Sequence, residues 1–467
     1  MNNLRASIVK LPRLAIAAVL ILAVSPRAWG SAGIKAGEKL TLNRAIELAL
    51  RNHPRVKEMA SEAAAAHERI GEARSSLLPQ VYGASEYLRS TDNPIGNTTY
   101  LNPGFIPRIT GTLHGASPNA GQSFSTGDNF LGGVGIEQYL LDFGRVRGLI
   151  EQRQAEAAAA RAVARQTDLD LIFETTGNYF ALLAAQQKVK VFQKAIQQRG
   201  EQLHAAQVRA DAGLTSQIDV LTARAALARA KTGLLEASNS DATARVALDN
   251  SMALPPNAPS YELADILTYK PVAGSTGAYF ATAIRMRPDL KALAQEARAA
   301  GAQITQVKSD FFPAVGAAAG YNAMGTGLPA ANNFEAGLVV TWPIFNGFLT
   351  ESQLGEARAR RDAVRYAMQD LQLQIWLQVK RAFLNLQTAL QRIRESEETL
   401  ASSAGQLELA NKRYSAGLGN IIELTDAERF YIGDNADYVD ALYSYSLAKA
   451  QLDRVTGASL ARLSEKK

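Results

Sequence analysis

The chain has no cysteine and only four histidines among its 467 residues. Without cysteine it can form no disulfide and no thiolate nucleophile or metal ligand. None of the histidines has the spacing of the metal-binding pair of an HExxH helix, and Gly132-Gly-Val-Gly135 is not followed by the Lys-Ser/Thr of a phosphate loop. The sequence therefore gives no support for an enzyme and implies no metal or other cofactor.

Long hydrophobic runs are scarce as well. Leu14–Val24 holds eleven apolar residues, whereas a membrane-spanning helix needs about twenty. This run follows basic residues and precedes Ala28-Trp29-Gly30, the arrangement of a cleaved export signal, which we predict over residues 1–30. The segment carries four basic and no acidic residues, so the formal charge of +6 falls to +2 without it. A nearly neutral chain lacks the basic surface of a nucleic-acid-binding protein, so no such partner is expected.

The most informative feature that is present is an internal repeat. Shifted by 234 residues, Ala49–Val81 aligns with Ala283–Val315 with thirteen identities in thirty-three positions. Shifted by 204 residues, Arg209-Ala-Asp-Ala-Gly-Leu214 aligns with Arg413-Tyr-Ser-Ala-Gly-Leu418. A repeat of this size predicts two similar halves. We place them at 31–254 and 278–457, with a linker at 255–277 between them and a tail at 458–467.

Each half contains a very long proline-free segment rich in strong helix formers. Residues 145–211 and 348–414 comprise 67 residues each, enough for helices of roughly 100 Å. Both end at an Ala-Gly-Leu turn, where glycine supplies the left-handed residue that stops a helix. Ser216 and Asn420 then begin returning helices at 217–251 and 421–456, with an acid three residues later as in a capping box.

Two predicted β-hairpins lie between the helices, at 80–141 and 314–345. Residues 334–342 alternate apolar side chains with others, the period of a strand with one apolar face. The first hairpin includes a long segment, 89–129, which we predict to be an extracellular loop. Aromatic residues cluster in the hairpins as in a membrane-interface belt. They are Tyr82, Tyr87, Tyr139, Tyr321 and Trp342. Alternation of this kind is also compatible with an ordinary soluble hairpin.

Counting strands constrains the assembly. Two hairpins supply four strands, and membrane-spanning barrels begin at about eight. Open sheet edges are not tolerated in lipid. If these strands lie in a membrane, several copies must share one barrel, and their long helices would form a tube on one side. The argument requires an oligomer and leaves the number of copies open.

The ordered set of features resembles the TolC-like outer-membrane channel family, the outer-membrane efflux proteins, over nearly the whole mature chain. The matching features are Leu78-Pro79 and Phe312-Pro313 before the strands, Gly144 and Gly347 after them, and the Ala-Gly-Leu turns. The resemblance implies a mainly α fold with membrane β: a homotrimer whose twelve-stranded outer-membrane β-barrel continues into a periplasmic α-helical barrel. It also implies a passive export conduit of a tripartite efflux pump. The partners would be a periplasmic adaptor, an inner-membrane transporter and outer-membrane lipid.

The resemblance also implies roles for residues near the turns. Acidic residues at the matching positions line the periplasmic entrance, which points to Asp426, Glu423 and Asp219; helix capping alone would explain the last two, but not Asp426. Closed-state contacts are expected from Tyr414, Arg413 and Arg209, although a basic residue that some members use for closure is Gly419 here. The exposed tips that meet the adaptor would be Gly213, Leu214, Gly417 and Leu418.

Two alternatives remain at this stage. One is the outer-membrane component of type I protein secretion. The other belongs to a different class, an exported soluble coiled-coil scaffold whose hairpins never enter lipid.

Overall fold

The structure is a computed structural model that describes residues 33–91, 126–272, 274–325 and 331–459. The predicted export signal lies outside these ranges, as do most of the 89–129 segment and most of the C-terminal tail.

The same order of elements occurs twice. The first half contains β1 (Glu38–Leu40), α1 (Leu42–Asn52), α2 (Pro54–Ser75), β2 (Gln80–Thr91), β3 (Thr126–Leu141), α3 (Arg145–Asp211) and α4 (Gln217–Ser251). The second half contains β4 (Tyr261–Leu263), α5 (Thr276–Met286), α6 (Pro288–Ser309), β5 (Ala314–Gly325), β6 (Ala331–Thr341), α7 (Leu349–Ser415) and α8 (Ile421–Thr456). Each half is therefore a short strand, two helices, a β-hairpin, one long helix and one returning helix.

The long helices α3 and α7 each run for 67 residues without interruption, a length of roughly 100 Å. Both begin after a residue in the left-handed conformation, Gly144 with φ of 96° and Phe348 with φ of 63°. Phe348 is thus the residue before α7, and the helix lies one position later than the proline-free segment predicted it. None of the helices in the described ranges has an apolar stretch long enough to cross a bilayer.

Two shorter helices, one following the other, pack along each long helix. On α3, Ala157 packs with Ala66 and Ile70 of α2, whereas Tyr179 and Leu182 pack with Leu248 near the end of α4. Helices α6 and α8 contact α7 in the same way. Contacts of α3 with both α6 and α8 join the halves. In the part distal to the strands, the helices therefore follow the order α4–α3–α8–α7.

The four long strands form one antiparallel sheet in the order β2-β3-β5-β6. The β3–β5 pairing joins the two halves, and Tyr139/Leu141 marks a register shift within it. Strands β2 and β6 are the edges and have no outer neighbour among the described residues. Strand β6 ends at Thr341, four residues before the predicted end of the second hairpin, because Pro343 cannot donate to a strand ladder.

The predicted linker at 255–277 contains regular structure. Tyr261–Leu263 forms β4, which pairs in parallel with β1 through Glu38↔Tyr261, Lys39↔Glu262 and Leu40↔Leu263. Tyr179 of α3 secures this pair, because its hydroxyl lies within hydrogen-bond distance of two acceptors, the Leu40 carbonyl at 2.8 Å and the Asp265 carboxylate at 2.7 Å. The beginnings of the two halves are therefore fastened to each other and to α3.

Candidate functional site

Two turns form the tips of the helical part of the molecule, residues 212–216 and 416–420. Gly213 and Gly417 have φ of 70° and 74°, the left-handed region in which a side chain is strained. In the first tip, Leu214 N–H donates to the Arg209 carbonyl at 2.8 Å, and Gly213 N–H donates to Ala210 at 3.0 Å. The second tip repeats both bonds. This is the Schellman motif, which satisfies the last carbonyls of α3 and α7.

The tips present apolar side chains to the surroundings. Leu214 and Leu418 are 78% and 74% exposed. Each leucine directly follows the glycine of its turn. Behind them, Ser216 accepts from Ile218 N–H at 3.2 Å and Asn420 accepts from Glu423 N–H at 2.8 Å. Capping by these side chains begins α4 and α8. The leucines are therefore held at the ends of two rigid helical hairpins.

Arg209 joins the two tips. Its guanidinium carbon lies 4.9 Å from the centre of the Tyr414 ring, and Nη1 donates to the Tyr414 carbonyl at 3.3 Å. The Arg209 side chain thus reaches from the end of α3 to the end of α7. The Tyr414 hydroxyl is buried and has no hydrogen-bond partner among the described residues. Two of the three predicted closed-state residues therefore contact each other.

Arg413, the third, acts within its own turn. Its Nε donates to Glu423 Oε1 at 2.9 Å, and its Nη2 donates to the Leu418 carbonyl at 3.3 Å. The carboxylate of Glu423 thus belongs to an ion pair that closes the α7–α8 turn. Gly419 lies beneath this pair, since a Cβ there would be 3.1 Å from the Arg413 side chain and 3.2 Å from Glu423 Oε2.

The other two predicted entrance acids differ in their surroundings. Asp426 is exposed on α8, one turn beyond Glu423, and its only described partner is Arg429 at 3.5 Å. Asp219 is partly buried and accepts a hydrogen bond from the Thr215 hydroxyl. No described contact brings Asp219 next to either α8 acid within one chain. Asp426 is therefore the acid that contributes least to the local structure of the tips.

A buried polar cluster near the tips was not predicted from the sequence. Glu428 of α8 is 3% exposed, and Arg199 of α3 is 7% exposed. Both positions continue buried helix faces, which Leu424 and Ala427 mark on α8 and Ala195 marks on α3. A charged residue within an apolar stripe is a signal that could have identified them. Burial raises the pKa of Glu428 to about 7, against the opposing effect of Arg199.

The sheet has one apolar and one polar face, because successive side chains of a strand point to opposite sides. Tyr321 pairs with Val134 and Phe334 on the apolar face, and Tyr87 falls on the same face of β2. Trp342 follows β6, where its Nε1 donates to the Phe311 carbonyl at 3.2 Å.

Tyr82 and Tyr139 instead lie on the polar face, which also carries Glu137 and Glu335. Tyr82 covers Gly135, where a Cβ would lie 2.4 Å from the tyrosine ring. These two predicted interface aromatics therefore lie on the face of the sheet opposite Tyr87 and Tyr321. The strand alternation was visible in the sequence, but the pairing that assigns each residue to a face was not.

The described residues contain no group of three or more His, Asp or Glu side chains placed to hold a metal ion. What the geometry provides is a long helical wall, an open-edged sheet with one apolar face, and two rigid tips carrying acids and exposed leucines.

Comparison with known proteins identifies the family. The model of the family described as outer membrane efflux protein matches residues 45–254 and 281–458. The chain belongs to this family, which comprises channel proteins rather than enzymes. It is an outer-membrane efflux channel component with a periplasmic helical barrel. Family membership favours the export-channel interpretation over the soluble coiled-coil scaffold.

Individual relatives are similar over most of their length. Outer membrane protein OprJ of Pseudomonas aeruginosa is 24% identical over 375 residues, which cover 76% of each chain. Outer membrane protein TolC of Escherichia coli is 23% identical over 430 residues, 87% of this chain and 80% of that protein. Among solved structures, the outer membrane protein VceC of Vibrio cholerae superimposes with a TM-score of 0.72 at 20% identity, covering 89% of this chain and 96% of that one. The chain has the fold of these channels.

Proposed function

We propose that three copies of this chain form the outer-membrane conduit of a tripartite efflux pump, opened by docking to a periplasmic adaptor and an inner-membrane transporter. The observation that carries the proposal is the incompleteness of one copy. Strands β2 and β6 leave both sheet edges open among the described residues, and the apolar face beside them is exposed. Three copies would supply twelve strands and close the cylinder without an edge in lipid.

One copy also leaves apolar side chains exposed on the helices at both edges of its helical layer. Large apolar side chains are exposed on α4 and on α7, the two outer helices of the order α4–α3–α8–α7. Those on α4 are Ile218, Leu221, Leu235 and Val246, and those on α7 are Tyr366, Leu373, Leu384 and Leu409. A ring of identical copies would bury both stripes against each other, as α4 of one copy meets α7 of the next. The tube of helices and the barrel of strands would then close together.

The tips would form the periplasmic entrance. Threefold symmetry turns Asp426 into a ring of three carboxylates, with Glu423 and Asp219 nearby on the same turns. Such a ring favours cations and holds multivalent ones. Glu423 is engaged by Arg413 at 2.9 Å and Asp219 by Thr215, whereas Asp426 has only the longer contact with Arg429 at 3.5 Å among the described residues. Asp426 is therefore the main contributor in this proposal. The contact of Arg209 with Tyr414 would hold the ends of α3 and α7 together in the closed state, and Leu214 and Leu418 would meet the adaptor.

The experiment is to reconstitute the purified chain in planar lipid bilayers and add a trivalent cation to the side of the helix tips. The wild-type chain is expected to conduct as a trimer and to be blocked. Asp426→Ala should raise the half-blocking concentration at least several-fold, because three carboxylates are lost together. Glu408→Gln is the matched control, since Glu408 is an exposed acid of α7 already paired with Lys412. A wild-type chain without conductance would contradict the proposed function, whereas an unchanged block would remove only Asp426 from the entrance.

A further inference from the structure

A charged cluster is buried between three helices close to the tips. Arg199 of α3 donates through Nη1 to the Ala226 carbonyl of α4 at 2.5 Å. Its Nε lies 3.7 Å from Oε2 of Glu428 on α8. Gln202, one turn further along α3, donates to the other carboxylate oxygen of Glu428. Through these contacts α8, which belongs to the second half, is connected to α3 and α4 of the first half.

The ion pair in this cluster is incomplete. At 3.7 Å the Arg199 Nε and Glu428 Oε2 atoms are too far apart for a hydrogen bond. Both atoms are buried and lack any other partner among the described residues. A buried charge whose hydrogen bonds are not completed is costly, because it has lost water and gained little in return. The cluster is therefore sensitive to any change in the charge of its members.

The cluster lies on the side of α8 that faces α3. Glu428 is two residues after Asp426, and the neighbouring stripe of α8, Leu424 and Ala427, packs on Leu407 and Ala410 of α7. On this apolar side α8 is fixed to α7, while on the other side the Glu428 carboxyl sets its spacing from α3. A small displacement of α8 from α3 would move Asp426 with it.

We propose that Arg199, Gln202 and Glu428 are positioning residues that set the separation of α8 from α3 at the entrance, and that protonation of Glu428 keeps the two helices together. The inference rests on the proposed function in one respect: the separation matters because these helices wall a channel. It assigns the pH response of the entrance to a buried carboxyl rather than to the exposed acids of the tips.

The direction of the pH effect follows from the environment of Glu428. Burial raises the pKa of its carboxyl from 4.5 to about 7. If separation of the helices admits water, that pKa falls back toward its ordinary value. The packed arrangement therefore binds a proton more tightly than the separated one, so it is favoured at low pH and weakened as pH rises through about 7. A difference of this size limits the change in the equilibrium to about three hundredfold.

The other charged groups around Glu428 do not give the same response. Burial lowers the pKa of the Arg199 guanidinium on α3, but an arginine keeps its charge in this range, and Arg229 on α4 places a second guanidinium near it. From α7 the contacts at this level are apolar. On α8 itself, Asp426 and Glu423 are exposed and paired with Arg429 and Arg413. His204 is exposed on α3, two residues after Gln202.

The test measures open probability or conductance of the full chain in bilayers between pH 5.5 and 8.5. For the wild type we expect an increase with pH that is complete near pH 7 and flat above it, so that the midpoint lies below about 7. Glu428→Gln preserves the side-chain volume and the bond from Gln202 but cannot ionise, so it should remain in the low-pH state across the range. Arg199→Met removes the charge that opposes protonation and should move the midpoint to higher pH. His204→Gln is the matched control and should leave the profile unchanged.

A second measurement does not depend on conduction. Hydrogen exchange of the α8 segment 421–430, corrected for the intrinsic pH dependence of exchange, should accelerate as pH rises to about 7 and stay constant above it in the wild type, and should not accelerate in Glu428→Gln. A pH profile of conductance and exchange that is the same in wild type and Glu428→Gln would overturn the inference. Loss of the profile in His204→Gln would do so as well. A wild-type chain that never conducts would count against the proposed function, while the exchange data would still decide the role of Glu428.

Discussion

At the scale of single residues, the tips use charged side chains in two different ways. Arg413 and Glu423 form an ion pair within the α7–α8 turn, so they stabilise a local structure that the second half could adopt alone. Arg209 instead crosses from α3 to Tyr414 of α7. Only the second kind of contact connects helices that must separate if the entrance widens. The corresponding position in the first half is Ala210, so the aromatic partner exists in one half only.

Tyr414 offers a test of this contact. Tyr414→Leu should lower the free energy of unfolding by about 0.5–2 kcal/mol, because the ring that Arg209 covers is lost. Tyr414→Phe keeps the ring and removes a buried hydroxyl without a described partner, so stability should be unchanged or increase by up to about 1 kcal/mol. Denaturant unfolding of the detergent-solubilised protein, followed by circular dichroism, measures both.

A double-mutant cycle with Arg209→Met separates the ring contact from other effects. A coupling energy between positions 209 and 414 of about 0.5 kcal/mol or more is expected for side chains in contact. The hydrogen bond from Arg209 to the Tyr414 carbonyl is unaffected by the change of side chain at 414 and cancels in the comparison. Additive effects would show that the ring and the guanidinium do not stabilise each other.

At the scale of elements, local rules account for where the helices stop and turn. The φ values of Gly213 and Gly417 and the bonds of the Schellman motif come from residues adjacent in sequence. For the same reason the proline-free segments and the Ser216 and Asn420 caps were sufficient to predict the long and returning helices. Such features depend on a few neighbouring residues and can be identified before any tertiary structure is known.

The two tip glycines lead to a prediction about stability. Gly213→Ala and Gly417→Ala should each destabilise the chain by about 1–2 kcal/mol, because a Cβ is strained at these φ angles. Contact with more distant residues contributes nothing, since among the described residues no atom beyond the two chain neighbours lies within 4 Å of the Cβ at either position. Gly405→Ala is the matched control: it is exposed within α7 with the same open surroundings and should stabilise by up to about 1 kcal/mol. Equal effects at all three sites in thermal unfolding would contradict the assignment of the turns.

Other elements could not be read from the sequence because they depend on distant partners. Strands β1 and β4 have three residues each and exist only because they pair across more than two hundred residues. The faces assigned to Tyr82 and Tyr139 required the register of β2 and β3. The positions of Arg199 and Glu428 are similar cases: periodicity places each on a buried face, but only packing shows that the two faces meet.

At the scale of the whole molecule, the outermost helices and the outermost strands of one copy lack partners among the described residues. The outermost helices α4 and α7 expose apolar stripes, and the outermost strands β2 and β6 expose their backbone edges among the described residues. The order α4–α3–α8–α7 separates the stripes within one chain. A neighbouring copy that offers α7 to α4 would bury both stripes and pair both strand edges in a single arrangement. Closure of the sheet and closure of the helical tube are therefore one event.

The absence of cysteine makes that closure directly measurable. Leu221 on α4 and Leu409 on α7 are each 60% exposed, and both lie about two helical turns from their tips. Leu221→Cys combined with Leu409→Cys should, after mild oxidation in the membrane, yield covalent dimers and trimers on a denaturing gel. Each single variant is the control, because it places its cysteines only opposite native side chains. If oxidation of the double variant gave a cross-linked monomer instead, α4 and α7 would be neighbours within one chain, and the order of helices from which the trimer is argued would be wrong.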